Sequence, residues 1–325
     1  MRRGMFRMTV MLAASVAAAS VVTPAVAEPA DVVVHVADGG ERPTDHWTPD
    51  RMRAATPLDD LLAVPGNPDG EATRGMPEVI PPVRGRTGKS TGEPWTGGGE
   101  VTTTAGRVFF TFAGSPASCS GNAVTSENRS VVITAGHCVK YEGSWHTDWI
   151  FVPGYHDGRA PYGEWPATRT LTTREWDERE DLDFDVGAAV VEPVQGRALT
   201  DVVGGQGIAF NGERNEHMYA FGYPAAAPYD GSELVYCSGP TFTDVLETRD
   251  HGMRCDMTGG SSGGPWFRNF DERAGLGVQA SVNSFGYTFL PGHMFGPYFG
   301  TEVQQLHEHA ENTVPESPVD VGARG

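Results

Sequence analysis

An all-β domain followed by one C-terminal helix is the fold class this sequence predicts, and three observations predict it. Glycine and proline are abundant, with 42 and 24 of the 325 residues, about a fifth of the chain where average proteins carry roughly 12 %. Short apolar or alternating runs recur between turn residues from 101 onward, the texture of an antiparallel barrel or sandwich. A long helical period occurs in one place, 298–311 (YFGTEVQQLHEHAE), near the end of the chain.

Taken in order, the chain opens with Arg2, Arg3 and Arg7, then an uncharged run over 8–27 that ends in Ala25-Val26-Ala27. A basic stretch, an apolar stretch and a small-residue cleavage site predict a secretory signal peptide over 1–27. A membrane anchor is the competing reading. It is disfavoured by the Ala, Ser and Thr content, by Pro24 and by Glu28 immediately after the run. Residues 28–100 read as a pro-segment and linker: one helix-like piece ends in Leu61, Leu62 and Val64, and 65–100 are dense in Gly and Pro. The domain proper spans 101–311. Its predicted strands are 107–112, 131–134, 149–152, 186–191, 218–222, 234–236, 275–281 and 287–290. A polar tail covers 312–325, and no internal repeat of fixed period is present.

Charge narrows the partners. Twenty-four Lys and Arg against 42 Asp and Glu give a formal net charge of −18, and removal of the three leader arginines makes the remainder more negative still. Such a balance argues against a nucleic-acid partner and against binding to an anionic membrane by bulk charge. Seven tryptophans and 39 % hydrophobic residues argue against a disordered chain. A monomer that requires no cofactor is expected.

Export makes the four cysteines readable as disulfides. Cys119, Cys138, Cys237 and Cys255 allow three pairings. Near-neighbour pairing, Cys119–Cys138 and Cys237–Cys255, closes two short loops, each worth about 3 kcal/mol. The alternative is a metal site that includes His137, but no C-x-x-C or H-x-x-x-H spacing supports it, so no metal is expected.

Three segments carry chemistry. In Thr258-Gly259-Gly260-Ser261-Ser262-Gly263-Gly264-Pro265 a serine stands in a glycine frame. Such a frame lets a hydroxyl project from a tight turn while backbone N–H groups converge on an oxyanion. A flexible Gly/Ser turn is the plain alternative. In Ser130-Val131-Val132-Ile133-Thr134-Ala135-Gly136-His137-Cys138 a strand end presents one histidine beside a cysteine, as a fixed general base requires. In Asp181-Leu182-Asp183-Phe184-Asp185-Val186-Gly187 an aspartate enters an apolar strand, where it can orient a histidine. Asp181, Asp183, Asp185 and Glu192 also fall at calcium-loop positions, but Val186 stands where that loop needs glycine. The acids over 175–185 are expected to form a solvated loop.

Together the three segments resemble the chymotrypsin-like serine peptidases. Thr134-Ala135-Gly136-His137-Cys138 is similar to the family's histidine motif, and Gly260-Ser261-Ser262-Gly263-Gly264-Pro265 to its nucleophile motif. The order His, Asp, Ser is also the family's. Phe151-Val152-Pro153-Gly154-Tyr155 resembles the secreted bacterial branch that includes glutamyl endopeptidases. The resemblance covers 101–311 and implies two antiparallel six-stranded β-barrels with a C-terminal helix, acting on protein or peptide substrates. It further implies Ser262 as nucleophile, His137 as general base, Asp185 as its orienting partner, and the N–H groups of Gly260 and Ser262 as the oxyanion hole. Asp183, two residues away, competes for the aspartate role. A bridge beside the histidine, Cys119–Cys138, is similarly implied.

Two departures qualify the resemblance. Ser261 stands where trypsin-like zymogens keep the aspartate that pairs with a freed amino terminus, so activation by that ion pair is not expected. Arg84, Arg86, Lys89 and Glu100 are candidate processing positions, and a mature start between Thr87 and Val101 is expected. Asp256, six residues before Ser262, has the spacing of a carboxylate selective for Arg or Lys, with Ser281 and Asn283 as expected pocket walls. No histidine lies in 277–285, which weakens a preference for glutamate. A non-catalytic peptidase-fold binding protein and an exported esterase are the alternatives. All three triad candidates are present, and the esterase order, with histidine last, is not.

Overall fold

Six strands close into an antiparallel barrel: Ala105–Phe112, Ser115–Ala123, Val131–Thr134, Gly187–Val191, Trp165–Thr173 and Thr147–Pro153, each pairing with the next and the last with the first. This computed structural model describes residues 31–37, 42–61, 72–81 and 91–315. The expected leader over 1–27, the positions Arg84, Arg86 and Lys89, and the tail from 316 lie outside them. Among the described residues, no helix is long and apolar enough to cross a membrane.

The barrel strands form where the apolar runs are, and Val108, Phe110, Val132, Ile133, Phe151, Leu171, Ala188 and Val190, distributed over their two faces, are all buried, none of them measurably exposed. Full burial of each large apolar side chain contributes about 1.5–3 kcal/mol. Ser115–Ala123 and Trp165–Thr173 were not expected as strands. Their sequences, SPASCSGNA and WPATRTLTT, are rich in small residues and threonine, yet almost every residue is buried. Small side chains are what close approach requires there: a Cβ at Gly121 would meet Val108 and Val132 at 3.0–3.1 Å.

Beyond the barrel, Gly207–Phe210, Leu276–Val282, Pro265–Asp271, His217–Gly222 and Val235–Pro240 form a second sheet in that order. Its pairings are antiparallel except Gly207–Phe210 with Leu276–Val282, which is parallel. Phe242–Thr243, His251–Arg254 and His293–Gly296 make a three-stranded sheet beside it. The predicted strand over 287–290 is instead a turn, in which Leu290 N donates to Tyr287 O. The C-terminal helix is Thr301–Glu311, and it buries Val303, Leu306, His307 and Ala310, one stripe at three- and four-residue spacing.

Residues read from sequence as linker are partly built into the sheets. Glu78–Ile80 pairs with Gly207–Phe210, and Thr91–Pro94 with Val235–Pro240. Both are sheet edges, where a proline without an N–H is tolerated. Trp95 follows and packs its ring against Phe221 and Tyr236 at 5.2 and 4.8 Å. Further upstream, Val32–Val36 extends the edge of Trp165–Thr173. The short helices Pro43–His46 and Pro49–Ala54 lead to Thr56–Pro57, which runs parallel to Ala117–Ser118 and then enters a 3₁₀ turn, Leu58–Leu61. Trp47, Met52 and Leu58 are buried in this segment.

Candidate active site

His137 lies in the turn Gly136–Cys138 directly after the strand Val131–Thr134. Three contacts hold it. Cys138 is disulfide-bonded to Cys119, and the His137 carbonyl accepts from His146 Nε2 at 2.8 Å. Trp176 packs against Gly136 so closely that a Cβ there would lie 2.7 Å from the indole. His146 itself stacks on Phe110 with ring centroids 4.3 Å apart, and burial pushes its pKa down to about 3, so it serves as a neutral donor.

Asp185 ends the 3₁₀ turn Leu182–Phe184 and precedes the strand Gly187–Val191. Its carboxylate is fully buried and accepts three hydrogen bonds, from His137 N (2.8 Å), His137 Nδ1 (2.7 Å) and Ser284 Oγ (2.6 Å). The first two fix the imidazole by both its backbone and its ring. Burial would depress the His137 pKa. The charge of Asp185 and its hydrogen bond, with the charges of Asp59 and Glu180, outweigh burial and raise it.

Asp183, the competing aspartate, turns elsewhere. Its Oδ1 accepts from Arg249 N at 2.7 Å, and its Oδ2 has no hydrogen-bond partner. Burial, with the charges of Asp181 and Asp244, pushes its pKa up to about 7 against the hydrogen bond from Arg249 N and the charge of Arg214. A raised folded-state pKa stabilises the fold below the unfolded value near 4 and loses that contribution as pH climbs toward 7. Thermal unfolding between pH 4 and 8 should therefore show a smaller decline in Asp183→Asn than in the unsubstituted chain. An unchanged decline would refute the assignment.

Ser262 stands at the head of the strand Pro265–Asp271 in the second sheet. Gly260 and Gly263 on either side adopt φ +92° and +80°, a region closed to most side chains, and a Cβ at Gly263 would strike Thr134 Oγ1 and Ser120 O. Ser120 binds this loop to the barrel. Its N–H donates to Ser262 O (2.7 Å), its hydroxyl donates to Gly260 O (2.9 Å), and the same hydroxyl accepts from Tyr223 N (2.8 Å). Ser261 donates its hydroxyl to Thr258 O, and Asn283 Nδ2 donates to Ser261 O, so both residues brace the turn from within.

The serine hydroxyl does not reach His137. It donates to Asp59 Oδ1 at 2.5 Å, while Gly260 N donates to Asp59 Oδ2 at 2.8 Å. His137 Nε2 is left without a hydrogen-bond partner, 4.0 Å from Asp59 Oδ1. Asp59 was not anticipated from sequence. It is one acid among many in a segment read as pro-segment and linker, and no motif marks it. Ser120, His146 and Ser284 were missed for a similar reason, since each acts through a contact between distant parts of the chain.

The expected specificity residues separate. Asp256 is exposed, and its Oδ1 accepts from Tyr229 O–H at 2.8 Å beside Gly92 of the edge strand. Ser281 and Asn283 are fully buried, and their hydrogen bonds run inward. Ser281 Oγ donates to Pro297 O, and Asn283 bonds Phe221 O, Ser261 O and Trp266 Nε1. These bonds commit their polar groups to the interior.

The cysteines pair Cys119–Cys138 and Cys237–Cys255. Among the described residues, Cys119, His137 and Cys138 form the one group with metal-like spacing. Its two sulfurs are bonded to each other and its imidazole is held by Asp185, so the donor set does not suit a cation.

Comparison with known proteins identifies the fold. No family model matches the chain. The chain is 42 % identical to the protease Anisep of Arthrobacter nicotinovorans, with a TM-score of 0.62 over 65 % of this chain and 96 % of that one. It is 41 % identical to the thermostable serine protease AL20 of an extremophilic microorganism, with a TM-score of 0.62 over 66 % of this chain and 99 % of that one. The chain belongs to the chymotrypsin-like serine proteases. A Glu endopeptidase shares the fold of this serine protease at 17 % identity and a TM-score of 0.55, over 70 % of this chain and 99 % of that one. An extracellular metalloprotease of Bacillus subtilis (strain 168) is 25 % identical over 171 residues, 48 % of this chain and 49 % of that protein, so the match spans about half the length of this curated relative. As a serine protease the chain acts on peptide or protein substrates.

Proposed function

We propose that the protein is a secreted serine endopeptidase, made with a leader over 1–27 and a pro-segment, that works through Ser262, His137 and Asp185. The observation that carries this reading is the Asp185 carboxylate, fully buried and bonded to both the N–H and the ring of His137. In the reacting enzyme Ser262 Oγ attacks the peptide carbonyl and passes its proton to His137 Nε2. Asp185 keeps the proton of His137 on Nδ1 and stabilises the imidazolium that forms. The N–H groups of Gly260 and Ser262 receive the oxyanion. His137 then protonates the leaving amine, and water, deprotonated by His137, releases the acyl group from Ser262. We assign Asp256 to substrate selection: an exposed carboxylate favours a cationic Arg or Lys side chain, and its hydrogen bond from Tyr229 fixes its direction.

One experiment tests the assignment of roles and substrate. A peptide library is incubated with processed enzyme and with Ser262→Ala, and the amino terminus of the processed material is sequenced. Cleavage after Arg or Lys, lost in Ser262→Ala, with a start between Thr87 and Val101, is expected. Cleavage that survives Ser262→Ala would overturn the nucleophile. Cleavage after other residues would overturn Asp256, and a fully active product starting at Glu28 would overturn the pro-segment.

A further inference from the structure

We infer that the segment 43–61 is an intramolecular inhibitor whose Asp59 carboxylate occupies the reaction centre and holds Ser262 away from His137. The inference rests on Ser262 being the nucleophile.

Three features of one contact make the site inactive. Ser262 Oγ gives its hydrogen to Asp59 Oδ1, so the hydrogen bond to His137 Nε2 through which the proton must leave is absent, and Nε2 has no hydrogen-bond partner. Asp59 Oδ2 takes the N–H of Gly260, a donor the developing oxyanion needs. A carboxylate also places negative charge where negative charge must form, which opposes the transition state by like-charge repulsion.

The segment does not lie as a substrate. Thr56–Pro57 runs parallel to Ala117–Ser118 of the barrel, and what reaches Ser262 and Gly260 is a side-chain carboxylate. That contact offers the serine no bond to cleave, so it blocks without being turned over.

Docking is built to deliver that carboxylate. Trp47 is 2 % exposed, donates Nε1–H to Asp148 O at 2.7 Å, and packs on Phe109 at 5.4 Å. Met52 is buried in the same cluster, and Leu58, immediately before Asp59, is buried with the barrel core. Thr48 caps the helix Pro49–Ala54, and Arg53 reaches Asp157 at 3.3 Å. Apolar anchors leading up to the turn Leu58–Leu61 therefore fix where Asp59 points. Removal of the segment frees Ser262 Oγ and Gly260 N together, and takes away the carboxylate that stands between the serine hydroxyl and the unpaired His137 Nε2.

The test uses the full chain with Arg84, Arg86 and Lys89 changed to Gln, so that it stays intact, and reads the rate at which a fluorophosphonate labels Ser262. Asp59→Ala should label about tenfold to a hundredfold faster than the unsubstituted intact chain, the worth of one or two hydrogen bonds to a charged group. Asp59→Asn should fall between them. A synthetic 43–61 peptide should inhibit processed enzyme, and its Asp59→Ala version should not. Equal labelling rates, or a peptide equally potent without the carboxylate, would overturn the inference. Processed enzyme that also fails to label at Ser262 would overturn the nucleophile assignment instead, so the two failures are distinguishable. The peptide arm stands whether or not Asp59→Ala folds as a full chain.

Discussion

Asp185→Asn is expected to lower kcat by about 10⁴-fold with little change in KM, whereas Asp183→Asn should leave both within a few-fold. The reason is geometric. Asp185 contacts His137 at two points, and an amide in its place would favour the wrong tautomer without moving the ring. Asp183 contacts Arg249 N and not His137. A second readout separates orientation from a general structural effect. Burial is the largest influence on His137 and lowers its pKa, and Asp185 is the main influence that overcomes it. In Asp185→Asn the His137 midpoint should therefore fall, and the acid limb of kcat/KM should move to lower pH, because turnover needs the neutral imidazole. Loss of turnover in Asp183→Asn with Asp185→Asn spared would contradict the assignment.

Removal of the bridge beside the histidine should have the next largest effect. Cys119 and Cys138 are separated by 19 residues, and a loop of that size constrains the unfolded chain by about 3 kcal/mol. At roughly 2–4 °C per kcal/mol for a domain of this size, the double Ala variant should unfold about 10 °C lower. Opening Cys237–Cys255, with a separation of 18, should cost similar stability. The two should differ in kcat measured well below either Tm. Cys138 adjoins His137, so the first variant should lose turnover that the second keeps. Equal kcat losses would show that the bridge stabilises without positioning His137.

These expectations also show which parts of the structure sequence can and cannot reveal. The barrel strands that carry continuous apolar runs, such as Val131–Thr134 and Gly187–Val191, were legible because burial on both faces leaves a hydrophobic signature. Ser115–Ala123 was not, since close strand packing selected small residues that read as turn. Glu78–Ile80 and Thr91–Pro94 were hidden by neighbouring Gly and Pro, which sheet edges tolerate. His137, Asp185 and Ser262 were legible as candidates because the backbone around each must be special and so constrains the residues beside it. Ser120 and Ser284 carry no such mark. Each needs one hydroxyl at one distance, and any serine supplies that. Asp59 was the hardest to foresee, because its role follows from docking of Trp47, Met52 and Leu58 rather than from any local pattern.

Chemical labelling locates the nucleophile directly. Processed enzyme is treated with a fluorophosphonate, digested, and the adduct mapped by mass spectrometry. One adduct is expected, on Ser262, formed at a rate that rises as pH climbs through the His137 pKa and abolished in Ser262→Ala. Enzyme that hydrolyses peptide bonds while Ser262 stays unmodified, or that carries its adduct on another residue, would contradict it.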